Sequence, residues 1–355
     1  MERRQTAVFI SRLCRWLGLV GVFGMLGACK SGDVPPTTTW VAKDLGPGRC
    51  VATNAGGQVL GVDDANASFV VAADGTRTVL GVFAAGEIAI GVGLSDAGEV
   101  VGYSEGPTGR MAVRYSGGTW RVIDGLVAPS AVIAAGPEGQ LVGFSRQNGR
   151  GKAFARVGGA LADLAMLGDG HSAAYLASGT RIAGIFETSD AQTHAFLVGD
   201  GRLRDLGTLG GKLSAPLGIN RRGDLVGAAD TASGERHAWL LPAGQTTLVD
   251  LAPSVPGAAA SDARGIDDAG NVALNVEDAS AVSHPFVLLG GKTPVDILPK
   301  DSAGQTFVGA HVATMAGDGR IIGWGMPRRA AADPDGGVTA SSGGVRCLVW
   351  TKVTR

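Results

Sequence analysis

An all-β chain built from seven similar units, each of four short antiparallel strands, is what this sequence predicts, and three observations predict it. One hairpin recurs as "NAGGQVLG", "SDAGEVVG", "GPEGQLVG", "SGTRIAG", "NRRGDLVG", "DDAGNVAL" and "GDGRIIG". A second hairpin follows each copy. The two ends of the chain then carry complementary fragments of one unit. Units of about 45 residues with four strands are the repeat of a β-propeller. The sequence is therefore read as a seven-bladed β-propeller whose N-terminal strand completes the last blade. The competing architecture, an open solenoid of the same units, has no use for a permuted first strand.

The register of the first hairpin is strict. Its trailing glycine falls at Gly61, Gly102, Gly143 and Gly184, each 41 residues after the last, continues at Gly227, gives way to Leu274 and returns at Gly323. Asn, Asp or Ser shortly before a glycine, between apolar residues, marks a tight turn whose glycine takes a positive φ. The valine-rich runs that follow, such as "QVLG" and "EVVGYS", have the composition of strands.

The third strand of each unit reads "SFVV", "AVRY", "AFAR", "HAFLV", "HAWLL", "HPFVLL" and "CLVW". A glycine turn leads to a fourth strand, clearest in "RLRDLGTL", "TTLVDLAP" and "TPVDILP", with Asp124, Asp163, Asp205, Asp250 and Asp296 near its end. The last unit stops after its third strand, "VRCLVWTKV". The missing fourth strand stands at the other end of the chain, as "TWVAKDLG" with Asp44. Docking it there closes the ring and removes an open edge. Closure brings Cys50 and Cys347 together, either as a disulfide or as two buried thiols.

Ahead of the repeats, residues 1–28 read as an export leader. Arg3, Arg4, Arg12 and Arg15 precede the apolar "WLGLVGVFGML". That run is short of the roughly 20 residues of a membrane-spanning helix. Leu26, Gly27, Ala28 and Cys29 resemble the lipobox of bacterial lipoproteins, and the resemblance implies cleavage before Cys29 and acylation of its sulfur. Lys30, rather than an aspartate, favours the outer membrane. The alternative is an ordinary signal peptide with an incidental cysteine. Residues 29–39 then form a polar tether and residues 40–355 the propeller. Losing the leader takes the formal charge from -1 to -4, which leaves no electrostatic footprint for nucleic acid. Only Cys50 and Cys347 would remain as free partners in an oxidising compartment.

His194, Ala195 and Phe196, followed by "DLGTLGG" and "SAPLGINRRGDLVG", resemble the HAF-repeat family of extracellular repeat proteins. The match is sharp over about residues 190–290. In the other units Ser68, Ala112, Ala153 and Cys347 mark the middle position. The resemblance implies an exported repeat protein and carries no reaction and no catalytic residues.

Chemistry-bearing residues are weighed against this periodicity. His194, His237 and His284 hold one position in three units, where separate blades keep them too far apart to share a metal at about 2 Å. They are read as structural marks bonded to a neighbouring loop. With them go Phe196, Trp239 and Phe286, which are expected to fill the space between blades. The periodic aspartates suit turn capping better than a catalytic pair, which needs two particular carboxylates about 5 to 10 Å apart. No serine-hydrolase, zinc-protease or phosphate-loop motif occurs, and the glycines never open a helix. No cofactor or metal is expected.

One stretch departs from the repeat. Residues 325–344, "GMPRRAAADPDGGVTASSGG", are inserted between the second and third strands of the last unit. The acidic cluster with Asp333 and Asp335 is too small for calcium, which wants six or more oxygens. The insertion is either a plain surface segment or a recognition loop through Arg328, Arg329, Asp333 and Asp335. It would share one face with the loops that cross between blades. The first strands read "CVATN", "AIGVGLS", "AVIAA", "SAAYLA", "SAPLGIN", "ARGIDD" and "AHVATM", small and mostly apolar with His311 the main exception. The expected function is a monomeric, lipid-anchored binding or scaffold module for an envelope protein or glycan. The alternative is an exported propeller enzyme acting on glycans.

Overall fold

The computed structural model describes residues 38–354, apart from 85–86, 108, 163, 165–166, 256, 302–303 and 328–343. The leader, Cys29, most of the tether, Asp163, and the candidate loop residues Arg328, Arg329, Asp333 and Asp335 lie outside the described residues. The described residues belong to one compact unit, Thr38–Arg355. Its first strand, Thr38–Pro47, begins two residues inside the stretch expected as tether.

The strands form five four-stranded sheets and one of eight. The eight-stranded sheet is two four-strand units, Ser172–Asp205 and Gly210–Asp250, joined only by the parallel pair Thr193↔Leu213. Within a unit the strands pair antiparallel in chain order, as in Ile88–Leu94, Val100–Gly106, Gly109–Ser116 and Thr119–Val122. The last unit is completed from the other end of the chain. Thr38–Pro47 pairs antiparallel with Arg346–Thr354, with Trp40 opposite Lys352 and Asp44 opposite Leu348.

The alternation of side chains along the third strand explains how units stack. Its third position faces the preceding unit. Phe196 is fully buried against Val142 and Ala155, Trp239 against Ala183 and Ala195, and Leu348 against Ala273 and Val287. Phe69 of the first unit packs in the same way on Ile322, Cys347 and Val349 of the last. Each such side chain is worth roughly 1.5–3 kcal/mol when fully buried.

The strict glycine is the cross-strand partner of that large side chain. Gly61 lies opposite Phe69, Gly184 opposite Phe196 and Gly227 opposite Trp239. A Cβ on Gly184 would also sit 2.1 Å from the Ala173 carbonyl oxygen. The sixth unit confirms the coupling by breaking it. Leu274 replaces the glycine and is itself buried, and its partner Phe286 is only partly buried. Phe286 still packs, with Leu274, against the cluster that includes Val226 and Ala238 of the preceding unit, but only partly buried.

The middle position faces the next unit and carries a polar link. The Ala112, Ala153, Ala195 and Ala238 N–H groups donate to the hydroxyls of Ser130, Ser172, Ser214 and Ser261, on the first strand of the following unit or, for Ser130, immediately before it. In the first unit Ser68 supplies the hydroxyl, accepting from Gly91 at 2.8 Å. Pro285 has no N–H, and Ala310 stands where a serine would accept it. Asn275 bridges this contact instead, accepting from the Val312 N–H at 2.7 Å and donating to the Val312 carbonyl at 3.1 Å. Between the last unit and the first the middle residue is Cys347, joined to Cys50 with 4.8 Å between their Cα atoms.

Candidate functional site: the central cavity and its polar edge

The periodic histidines pair with the periodic aspartates. His194 Nδ1 lies 3.0 Å from Asp205 and His237 Nδ1 lies 2.9 Å from Asp250. For these two the partner is the fourth strand of the same unit, whereas His284 meets a loop residue. His284 turns to Asp278 at 3.5 Å, and in the last unit Arg346 takes the cationic place opposite Asp44 at 2.8 Å. Asp44, Asp205, Asp250 and Asp296 also accept the backbone N–H two residues on, at 2.8 to 2.9 Å. These groups hold the corner where the chain leaves one unit for the next. Among the described residues, no three His, Cys, Asp or Glu side chains converge as a metal would need.

A different feature gathers at the centre. Every first strand shifts register at the same step, between Cys50 and Ala52, Gly91 and Gly93, Val132 and Ala134, Ala174 and Leu176, Pro216 and Gly218, Ala263 and Gly265, and Val312 and Thr314. Such bulges re-aim the extra residue. The bulge residues are Val51, Val92, Ile133, Tyr175, Leu217, Arg264 and Ala313, and all but Arg264 line a cavity of about 640 Å³. Burial in this apolar setting pushes the Tyr175 phenol up from 10.0.

The rim of this cavity is tied from unit to unit. The Asn54 side-chain amide donates to the Ser95 carbonyl, Asn220 donates to that of Asp267, and Asp268 accepts the Arg221 N–H. Arg320 closes the series by donating to the Asn54 carbonyl at 3.2 Å.

Arg264 departs from the apolar set. Its Nε donates to the Asp262 carboxylate, whose side chain is only 7% exposed. Asp262 also accepts from Asn275 at 3.0 Å. The Asn275 amide lies 3.1 Å from His311 Nε2, and His311 stacks on Trp324 with 4.4 Å between ring centroids. Desolvation, with the Arg264 charge second, pushes the His311 imidazole below 6.5, against the opposing pull of Asp262.

Sequence reasoning singled out His311 and missed Asp262 and Arg264. A signal was present, since "SDARGI" alone among the first strands puts an acid and an arginine two residues apart. Trp324 lies two residues before the end of Ile321–Met326, the strand that leads into the insertion. Asp262, Arg264 and Asn275 stand on the first two strands of the sixth unit, His311 and Trp324 on those of the last.

No family model and no curated protein matches the chain. Solved structures do. The β-propeller domain of the Trilobed protease from Pyrococcus furiosus aligns with a TM-score of 0.53 and 9% identity, over 86% of this chain and 92% of that one. The chain has a β-propeller fold. A puromycin-hydrolyzing peptidase of Mycobacterium tuberculosis aligns with a TM-score of 0.51 and 16% identity over 82% of this propeller chain. This propeller spans about half of that peptidase, 52% of its length. The Pyrococcus domain is described as having an open velcro topology, whereas here strands from both ends of the chain pair in one sheet.

Proposed function

We propose that this chain is a seven-bladed propeller closed by its N-terminal strand, exported, and held at the outer membrane by acylated Cys29 as a monomeric binding or scaffold module of the HAF-repeat kind. One observation carries the reading. Cys50 and Cys347 meet where the last unit packs on the first. A disulfide at that contact serves a protein that works in an oxidising compartment. It staples the ring where no chain connection does. The succession of packed units, first against last included, supports the closed count. The leader and "LGAC" supply the address.

A second reading is enzymatic, with a glycan as substrate. An enzyme needs first strands that carry acids, bases or arginines absent from the other units, and Asp262, Arg264 and His311 are such residues. The peptidases that share the fold carry it as part of longer chains. Binding remains the better-supported reading because Asp262 is occupied by Arg264 and Asn275, and Asn275 in turn holds Val312.

Pull-down from intact envelopes, with the whole protein and with a variant lacking residues 325–344, tests the proposal. A partner set captured by the first and lost by the second supports the insertion as recognition loop, and identical sets contradict it. Turnover of an envelope glycan by the purified protein would replace binding with catalysis.

A further inference from the structure

The residue that follows the strict glycine on the second strand is aromatic in three units, as Tyr103, Phe144 and Trp324. The fold covers two of these rings itself. The Arg110 guanidinium lies over Tyr103 at 4.3 Å and pairs with Glu105, and the His311 imidazole stacks on Trp324 with 4.4 Å between ring centroids. Phe144, half-buried, instead lines a cavity of about 440 Å³. Gly151, opposite Arg146, holds by strand register the place that Arg110 holds opposite Glu105. Neither backbone nor space demands a glycine there. Its φ lies outside the left-handed range, and a Cβ on it would meet Phe144 Cδ2 at 3.6 Å and His171 Nδ1 at 3.8 Å, ordinary contact distances.

Gly151, His171, Phe186, Glu187 and Thr193 line the same cavity as Phe144, so both the third and the fourth unit contribute to it. Phe186 is its second ring. That position is aromatic in the fourth unit alone, and Phe186 packs edge-on to Phe196, 6.3 Å between centroids, in the cluster shared with the third unit. Two polar groups stand beside the rings. His171 Nδ1 accepts the Gly151 N–H at 3.3 Å, which leaves the ring proton on Nε2 as a donor. Glu187 Oε2 accepts the His171 N–H at 3.0 Å, a bond that holds this carboxyl below its usual 4.5. Among the described residues, Glu187 Oε1 and His171 Nε2 make no hydrogen bond. The nearby cations are engaged: Arg150 lies 3.5 Å from Glu187 Oε2, and Lys152 donates to the Gly168 and Gly170 carbonyls at 2.7 and 2.6 Å.

We infer that this cavity binds one neutral pyranose residue of a glycan, its C–H face against Phe144 and its hydroxyls on Glu187 Oε1 and His171 Nε2. Arg110 and His311 show what suits a ring at this position: a flat group with a polar edge. A pyranose is such a group, since its C–H face rests on the electron-rich face of an aromatic ring while its hydroxyls point sideways. Each hydroxyl both donates and accepts, which matches a carboxylate oxygen and an imidazole N–H side by side. A purely apolar ligand would leave both polar groups unmatched. An organic cation would meet Arg150 and Lys152, and an anion would meet Glu187. The cavity has the size of small-molecule sites. This site gives the binding module a glycan ligand and rests on that reading, but it is independent of the anchor and of the insertion.

Saturation-transfer NMR and calorimetric titration of the whole protein test it with the methyl glycosides of glucose, galactose, mannose and N-acetylglucosamine. The rivals are 3-phenylpropanol, which is apolar, and benzyltrimethylammonium, which is cationic. The expected result is one site for at least one glycoside, its ring C–H protons saturated through aromatic resonances. Its Kd should lie at least about tenfold below that of either rival, the contribution of one charge-assisted hydrogen bond. Gly151→Arg supplies the cover that Arg110 gives Tyr103, meets only ordinary contacts at its Cβ, and should abolish glycoside binding with the urea midpoint unchanged. Glu187→Gln keeps an oxygen for the His171 N–H but loses the charge, and should weaken the glycoside about tenfold. Binding by no glycoside, tighter binding of either rival, or a folded Gly151→Arg variant that binds as the parent does would each overturn the inference. Should Gly151→Arg not fold, Glu187→Gln decides, and unaltered affinity overturns it. An envelope pull-down that succeeds while no glycoside binds would refute this site and keep the module; glycoside binding with an empty pull-down would keep the site and count against the envelope partner alone.

Discussion

Gly227 and Trp239 face each other on adjacent strands so closely that a β-carbon on the glycine would lie 2.6 Å from Trp239 Cζ2 and 2.0 Å from the Ala215 carbonyl oxygen. The glycine is there because the indole and the bulged first strand both need its space. Gly227→Ala should therefore destabilise the fold by about 3 kcal/mol, the upper range for forced overpacking. Urea unfolding followed by Trp fluorescence measures it, and a midpoint equal to the parent's would refute the packing account.

The serine links between units give a second expectation. Ser214→Ala removes the acceptor of the buried Ala195 N–H and should cost about 1–3 kcal/mol, the penalty of an unpaired buried donor. The converse experiment uses the unit that lacks the link. Pro285→Ala alone exposes an N–H with no acceptor, and adding Ala310→Ser should restore about 1 kcal/mol in a double-mutant cycle. Zero coupling between the two would remove the link from the account.

Acid should reveal His311. Its folded-state pKa lies below 6.5, mainly by desolvation, with Arg264 and Arg236 lowering it and Asp262 opposing them. The unfolded chain then binds the proton more readily, so this contribution is complete above about 6.5 and declines as pH falls toward the folded value. Asp278, held below 3.8 by the N–H groups of Val282 and Ser280, acts only at lower pH. His311→Gln should flatten the stability profile just below pH 6.5 and leave the more acidic limb unchanged. A parent profile already flat there would contradict the burial of this imidazole.

Cys50 and Cys347, 297 residues apart, close nearly the whole chain. In the chain-entropy account such a link stabilises by about 6 kcal/mol. The double serine variant should unfold at a correspondingly lower denaturant concentration, and reductant should shift the parent toward the variant. A reductant-insensitive parent would remove the staple.

The sequence carried much of this architecture openly. Period, hairpins and the permuted strand with Asp44 could be read because tight turns demand glycine at fixed places. The bulges were hidden, since one extra residue leaves no mark in a run such as "CVATN". Asp262 and Arg264 were visible as the one acid and arginine pair in a first strand, but their contact across the bulge between Ala263 and Gly265 was not. The His194–Asp205 and His237–Asp250 pairs join two marks that were each visible, but their spacings of 11 and 13 residues differ, so only the strand register reveals them as partners. The Leu274 exception was legible. Its consequence for Phe286 was not, because cross-strand partners follow from register alone.

Intact mass of the protein extracted from native envelopes tests the central claim most directly, because one spectrum reads both address and closure. The account predicts a chain that begins at Cys29, carries acyl groups, and gains the mass of two hydrogens on reduction as Cys50 and Cys347 separate. A chain still carrying residues 1–28, without lipid and with both thiols open to alkylation before reduction, would contradict it.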